Sequence, residues 1–365
     1  MRYKPLFIFA AGRAQAWQVS AAIRTEGSRK LRFPNCPWTI LFFVFSSLSL
    51  FHHGAHAQPA LERVNAIYAS LAGDHAALYV AQDMALFRKH GLDVSLSYTA
   101  GAAQVIQTMM AGENQIATAG GSGVVDADFG GADLVAVAGM VNMPAFYIVV
   151  QPEIKSIQDL RGKPVGITRF GSSTDFTMRY ILRKAGLDPE KDVPLLQLGG
   201  QPELAAAIET RRIFAAPMTP PALQRTLKAG ARIQIPPKTI GLSFPHVGIV
   251  VRKQFLAARR QTVKNFIAGY SEGVAMLYRD KEASKKAIGR FLHTDDPESL
   301  EASWQFGIDV IERVPNLDPE MFRLVLEERA RTRPEAAKAK PEQFFDESLV
   351  RELEREGFFK KLYAR

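Results

Sequence analysis

From Val64 onward, short apolar runs alternate with segments of helical periodicity, the arrangement that builds βα units on a mainly parallel sheet. Val64 to Tyr68 predicts a strand, His75 to Lys89 an amphipathic helix closed by Gly91 as its C-cap, and Leu92 to Ser97 a second strand. Ala102 to Ala111 reads as a helix ended by Gly112. Ile116 to Ala119 follows as a strand that opens into Gly120-Gly121-Ser122-Gly123, with further strands at Leu134 to Gly139 and Phe146 to Val150.

After Pro152 the pattern restarts. Ile157 to Leu160 is a helical turn, Val165 to Thr168 a strand, Thr174 to Ala185 a helix, Pro194 to Leu198 a strand, Glu203 to Arg211 a helix and Ile213 to Ala216 a strand. The two stretches running helix, strand and loop, through Met110 to Ala119 and through Glu209 to Ala216, hold similar places in the two halves and predict two lobes of like construction. A last apolar run, Val247 to Val251, precedes helices with charged outer faces from Ala258 to the end, expected to pack back on the first lobe. Segments near Met140 to Tyr147 and Thr239 to Val247 would then cross between the lobes, and two crossings make a hinge around a cleft. The expected division is residues 58–145 for the first part of lobe 1, 146–243 for lobe 2 and 244–365 for the return to lobe 1.

The amino end changes how charge and cysteine are read. Arg24, Arg29, Lys30 and Arg32 precede the apolar run Trp38 to Phe51, then Ala55-His56-Ala57, which is the order of a cleavable export signal over residues 1–57 with cleavage after Ala57. The alternative is an uncleaved membrane anchor, against which the run is 14 residues long, short of the roughly 20 a membrane-spanning helix needs. Residues 1–23 form a long lead-in, consistent with a translation start inside residues 1–31. Removing the signal takes seven of 46 Lys and Arg and one of 37 Asp and Glu, so the formal charge falls from +9 to +3, that is 39 basic against 36 acidic residues. That leaves no electrostatic footprint for nucleic acid. Cys36 leaves with the signal, and the mature chain can hold neither disulfide nor thiolate site.

Several short stretches, in order and spacing, resemble the periplasmic binding proteins of nitrate, sulfonate and taurine ABC importers and their thiamine-precursor-binding relatives. They are Ala77 to Ala81 with Leu86-Phe87 and Gly91 to Val94, then Met109 to Glu113, Asp159 to Lys163, Gly171 to Asp175, Ala185 to Pro189 and Pro220-Pro221. The likeness runs from about Val64 to Val251. Where relatives usually carry Asp at two equivalent strand starts, this chain has Gln115 and Phe214, and Arg211 stands where Gly is usual. The resemblance implies a two-lobed α/β fold of the periplasmic-binding-protein type (type II), each lobe a mainly parallel sheet flanked by helices and joined by two hinge crossings. It also implies capture of a small polar or anionic solute, sulfonate-, nitrate- or pyrimidine-like, for a permease at the inner membrane, by a periplasmic protein expected to be monomeric.

The best local signal for a site is Arg169 to Asp175, after a strand and at a helix start. Helix N-terminal amides, the hydroxyls of Ser172, Ser173 and Thr174, the turn at Gly171 and the charge of Arg169 all favour an anionic or strongly polar group. Ser172 and Asp175 equally fit a capping box that orders a helix without any ligand. Gly121 and Ser122, in the glycine-rich run, allow close backbone approach or simply a flexible turn. Asp74 and His75 stand at another sheet edge, as ligand contacts or as helix-start residues. Met218 and Thr219, before Pro220-Pro221, form an apolar wall or a turn. His246 lies with Phe244 near the second crossing, as cleft wall or core.

The histidines that remain, His75, His90, His246 and His293, lack metal-ligand spacing, so neither metal nor cofactor is expected. No phosphate loop, dinucleotide fingerprint or Gly-x-Ser-x-Gly elbow occurs, and no nucleophile with its base is apparent. A binding protein without catalysis is the leading expectation. Alternatives are an exported ligand sensor and an enzyme similar to the thiamine-pyrimidine synthases, whose cysteine-rich motif is missing here.

Overall fold

The computed structural model describes residues 60–99 and 102–364. The export signal expected over residues 1–57, its cleavage after Ala57, Cys36, His52, His53 and His56 lie outside the described residues. Among the described residues, ten strands form two five-stranded sheets. The strands are β1 Glu62–Tyr68, β2 Leu92–Tyr98, β3 Ile116–Ala119, β4 Leu134–Val141, β5 Tyr147–Val150, β6 Val165–Ile167, β7 Leu195–Gln197, β8 Ala215–Met218, β9 Arg232–Ile235 and β10 Val247–Arg252.

The sheet orders are β2-β1-β3-β10-β4 and β7-β6-β8-β5-β9. In each, the first three strands pair in parallel and the fourth pairs antiparallel to both neighbours, so four strands run one way and one runs against them. The reversed strands, β5 and β10, are the first that follow each passage between sheets, between Val141 and Tyr147 and between Ile235 and Val247. The two lobes thus share one topology, and their sheets are mixed. All eight residues of β4 are buried, as a strand covered on both faces requires.

Three local expectations change. The helix foreseen from His75 to Lys89 is a 3-10 turn Gly73–His75, a helix Ala76–Asp83 and a short helix Leu86–Lys89, broken where Ala85 adopts φ +53°. The break brings Phe87 onto Phe266, ring centroids 4.6 Å apart. Gly120 to Gly123 is no flexible turn but the start of a helix, Gly121–Phe129. β9 had no forecast because its Arg-Ile-Gln-Ile sequence is short and half polar. Arg211 adopts φ +58°, the left-handed conformation that favours glycine.

Downstream helices cover the first sheet. The 20-residue helix Arg260–Arg279 packs on Ala76–Asp83 so closely that a Cβ at Gly273 would lie 2.2 Å from the Ala77 carbonyl oxygen. The chain then returns to the edge of β4, where Ala136 N–H donates to the Phe344 oxygen at 3.0 Å and Asp346 N–H to the Ala136 oxygen at 2.8 Å.

The lobes touch across the cleft. Gly73 N–H donates to the Pro220 oxygen (3.2 Å), the Ser122 hydroxyl to the Gly171 oxygen (3.1 Å) and the Ser173 hydroxyl to the His246 oxygen (2.8 Å). Phe176, from the second lobe, stacks at 4.3 Å on Phe244, in the second passage, with both rings fully buried. Such burial stabilises by roughly 1.5–3 kcal/mol per side chain.

Candidate functional site

Parallel strands deliver their C-terminal ends to one edge of a sheet, and in both lobes those ends border a single cavity of about 70 Å³. The first lobe supplies Ala69 to Leu71, Asp74 and His75 after β1, Tyr98 at the end of β2, and Thr118 to Gly120 at the end of β3. The second supplies Thr168 and Ser172 to Thr174 after β6, and Gly199 to Gln201 after β7. Phe146, His246 and Val247 come from the passages between the lobes and the start of β10.

Among the described residues, four helices of eight residues or more have their N-caps here. Their N-caps are His75, Gly120, Ser172 and Gly200, and all four line the cavity. The positive ends of four helix dipoles therefore face one small space, although Ala76 N–H and Gly121 N–H are already taken by the Gly73 and Pro245 oxygens. Among the described lining residues there is no Lys or Arg, and what they offer an anion is dipoles, hydroxyls and imidazoles.

The Ser172 to Asp175 turn settles which of its groups face the cavity. The Ser172 hydroxyl donates to the Arg169 oxygen (2.7 Å) and lies 2.8 Å from Thr174 Oγ1, itself 2.8 Å from Thr168 Oγ1. Asp175 accepts from Gly171 N–H (2.9 Å) and Arg179 Nε (2.6 Å) and lines a separate cavity behind the turn. Ser172 caps the helix Ser173–Lys184, accepting from Asp175 N–H. Capping and cavity lining share one loop, with the carboxylate turned away.

Opposite sits a buried polar chain. His75 Nδ1 lies 2.7 Å from Asp74 Oδ1, His75 Nε2 lies 2.9 Å from Thr118 Oγ1, and His246 Nε2 lies 3.4 Å from Asp74 Oδ2. Asp74, His75 and His246 are at most 3% exposed. Burial pushes the Asp74 carboxyl up, but the charge of His75 and hydrogen bonds from both imidazoles outweigh it and hold the carboxyl well below the usual carboxylate range. Tyr68 and Tyr79 flank the His75 ring, with centroids 6.1 and 6.3 Å away, and burial beside Tyr98 pushes the Tyr68 phenol up to about 12. Phe146 meets the His246 ring edge-on at 4.5 Å. Histidines 171 residues apart in sequence thus share one carboxylate. Contrary to the sequence reading, a carboxylate, an imidazole and a hydroxyl do stand in line, at Asp74, His75 and Thr118. Among the described residues no group of three His, Cys, Asp or Glu is placed to hold a metal ion, and no helix is long and apolar enough to cross a membrane.

Of the residues singled out from sequence, Asp74, His75, Ser172, Ser173, Thr174 and His246 line the cavity. The other six do not. Gly121 N–H is taken by the Pro245 oxygen (2.7 Å), and Ser122 bridges to Gly171 across the lobes. Gly171 faces the rear cavity. Arg169 is half-buried outside the lining, near enough to Tyr98 to act on its phenol. Met218 is fully buried with Leu204 and Ala205 in the core of the second lobe. Thr219 is screened by Gln201, whose side chain accepts from Thr219 N–H (3.0 Å) and donates to the Pro217 oxygen (3.2 Å). Phe214, at the opposite end of β8, is also absent from the lining.

Residues missed were Ser70, Tyr98, Thr118, Phe146, Thr168 and Gly199 to Gln201. One signal was available: Gly199-Gly200 before Gln201-Pro202 marks a helix start.

A family model described as NMT1/THI5 like matches residues 72–284. A candidate binding protein of Bacillus subtilis (strain 168), YtlA, is 26% identical over 127 residues, 34% of this chain and 38% of that protein. A candidate binding protein of Brucella abortus (strain 2308) is 28% identical over 228 residues, 59% of this chain and 67% of that protein. Among solved structures, a Bordetella bronchiseptica RB50 protein aligns with TM-score 0.72 at 20% identity, over 80% of this chain and 97% of its own. The alkanesulfonate-binding protein SsuA of Xanthomonas axonopodis pv. citri, bound to MOPS, aligns at 0.64 with 18% identity, over 77% and 96%. The periplasmic nitrate-binding protein NrtA of Synechocystis PCC 6803 aligns at 0.63 with 16% identity, over 81% and 89%. These structures share the two-lobed α/β fold of periplasmic binding proteins.

Proposed function

The chain belongs to the NMT1/THI5-like family, and from that premise we propose that it is the periplasmic solute-binding component of an ABC importer. On this reading it captures one small polar or anionic organic solute between its lobes and presents the closed form to a permease. The observation that carries it is the convergence of four helix N-caps, the Ser172 to Thr174 hydroxyls and the Asp74–His75–His246 cluster on one interlobe cavity of about 70 Å³. At about 30 Å³ of liquid volume per water, that space holds about two waters, which restricts the solute to a compact one. The sulfonate and nitrate specificities of the neighbours SsuA and NrtA support an oxyanion-bearing ligand, and the lack of Lys or Arg among the described lining residues favours a single negative charge, or a neutral polar ring, over a dianion. Ligand acts by binding the closed state more tightly than the open one, with no chemical step.

A thermal-shift screen of residues 58–365 against nitrate, alkanesulfonates, amino-sulfonates, aromatic acids and pyrimidines tests this. A cognate solute at a hundredfold excess over its Kd stabilises by about 2.7 kcal/mol. A panel in which nothing raises the Tm removes the reading. The Asp74–His75–Thr118 line favours one second reading, ester hydrolysis in which Thr118 Oγ1 takes the acyl group, His75 passes the hydroxyl proton to the departing alcohol or phenol, and water then cleaves the acyl-threonine. It predicts turnover of p-nitrophenyl acetate that Thr118→Val abolishes.

A further inference from the structure

His246 is 2% exposed and is among the residues that line the cavity. Its Nε2 faces Asp74 Oδ2 at 3.4 Å, while its Nδ1 is buried without a hydrogen-bond partner among the described protein groups. A ring nitrogen facing a carboxylate carries the proton, so in the neutral imidazole Nδ1 is the lone-pair acceptor. His75 differs, because both of its nitrogens are engaged, Nδ1 by Asp74 and Nε2 by Thr118. Phe146 packs edge-on against the His246 ring, and Ser173, across the cleft, holds the His246 carbonyl. Asp74, kept ionised by its two imidazole neighbours, gives the Nε2 proton a constant acceptor. Buried acceptors are nearly always satisfied, so an unpartnered one on a residue that lines the cavity calls for a partner from outside the chain.

We propose that His246 determines specificity: its Nδ1 accepts a hydrogen bond from an N–H or O–H of the bound solute, and Asp74 is the positioning residue that fixes the tautomer. The solute is then a compact molecule with a hydrogen-bond donor beside its polar or oxyanionic group, an amino-sulfonate or an amino-substituted heterocycle in preference to a plain oxyanion. This rests on the cavity being the solute site.

Two measurements separate the proposal from the reading beneath it. Nitrogen-15 NMR of histidine-labelled protein reports each tautomer without any ligand, and His246 is expected as the Nε2–H form; a proton on Nδ1 at neutral pH overturns the proposal whatever binds. Calorimetry then compares matched probes, taurine against propane-1-sulfonate and 4-aminopyrimidine against 4-methylpyrimidine. The donor-bearing member of a binding pair is expected to be at least about tenfold tighter, because its isostere leaves the acceptor unpaired. His246→Gln, which keeps a group toward Asp74 and drops the Nδ1 acceptor, is expected to erase the difference, and His246→Asn to retain part of it. Equal affinities in wild type, or a preference that survives in His246→Gln, overturn the assignment. If His246→Gln fails to fold, the Nδ1 shift on titrating the tighter probe decides: movement supports the contact and a static shift refutes it. If no probe binds, the solute-site reading falls, and the tautomer measurement still decides the state of Nδ1.

Discussion

Removing the Asp74 carboxylate tests whether the buried cluster is a matched set of charges and donors. In Asp74→Ala the groups left behind are His75 Nδ1 and His246 Nε2, both on rings at most 2% exposed. Deleting one partner of a buried pair costs about 3–5 kcal/mol, most of it from polar groups that keep their burial and lose their partner. Against a typical total stability of about 5–15 kcal/mol that is a large fraction, and at about 2 °C per kcal/mol for a chain of this size it lowers the Tm by about 6–10 °C. Asp74→Asn keeps an oxygen and a shape in place and is expected to lose about half as much. The pH dependence has a definite sign. Native Asp74 ionises more readily than an unfolded Asp, whose pKa is about 3.9. Its contribution is therefore complete above about pH 4 and is lost as the pH falls toward the lower native value. Urea titrations of wild type and Asp74→Ala between pH 5 and pH 3, below the range in which an unfolded histidine titrates, should show a gap that narrows below about pH 4. A gap under about 1 kcal/mol at pH 5, or one that widens on acidification, refutes the reasoning.

Four further outcomes follow from distances in the cleft and the core. Gly120→Ala would put a Cβ 2.2 Å from Ser173 Oγ and 3.0 Å from the His246 oxygen, so it should hinder lobe closure, weakening solute affinity by about tenfold or more at nearly unchanged Tm. Small-angle scattering should report a more open form, and Gly120→Ala with Ser173→Gly should recover part of the affinity. Phe244→Ala removes a fully buried ring stacked on Phe176 and should cost about 3–5 kcal/mol by urea denaturation. Gln201→Ala leaves Thr219 N–H and the Pro217 oxygen without their side-chain partner, a loss of about 1–3 kcal/mol in the same assay. Glu328→Gln discharges the interlobe pair with Arg183. Because Arg183 is 23% exposed, solvent screening limits the loss to about 0.5–1 kcal/mol of closed-state preference, read as an affinity weaker by about two- to fivefold.

The alternation of apolar runs and helical segments was enough to place most strands, since each sits between turn residues and a periodic helix. Asp74, His75 and Ser172 to Thr174 were legible because they stand just after parallel strands and open helices, where chemistry at a sheet edge is local in sequence. Met218 and Thr219 have the same address but not the same fate, because a side chain from the start of another helix, Gln201, covers one and the core takes the other. Arg169 offered a charge, yet the turn it begins is satisfied by its own hydroxyls and directs Ser172 to Thr174 inward instead. No local pattern announces such outcomes, which are settled by packing between segments far apart in the chain.

The pairing of His246 with Asp74 has a topological cause. A reversed strand begins where its parallel neighbours end, so the residue just before it arrives at the sheet edge that bears the site. β10 starts at Val247, with Gly248 opposite Ala119 at the end of β3, and β5 starts at Tyr147, opposite Met218 at the end of β8. The residues that precede them are His246 and Phe146, one from each passage between the lobes; their rings meet, and both residues line the cavity. Two strand reversals therefore place part of the crossing segments inside the cleft they hinge. A solute that touches His246 touches the segment whose carbonyl the second lobe holds through Ser173, so recognition and closure share a residue, and substitutions at His246 should change both together.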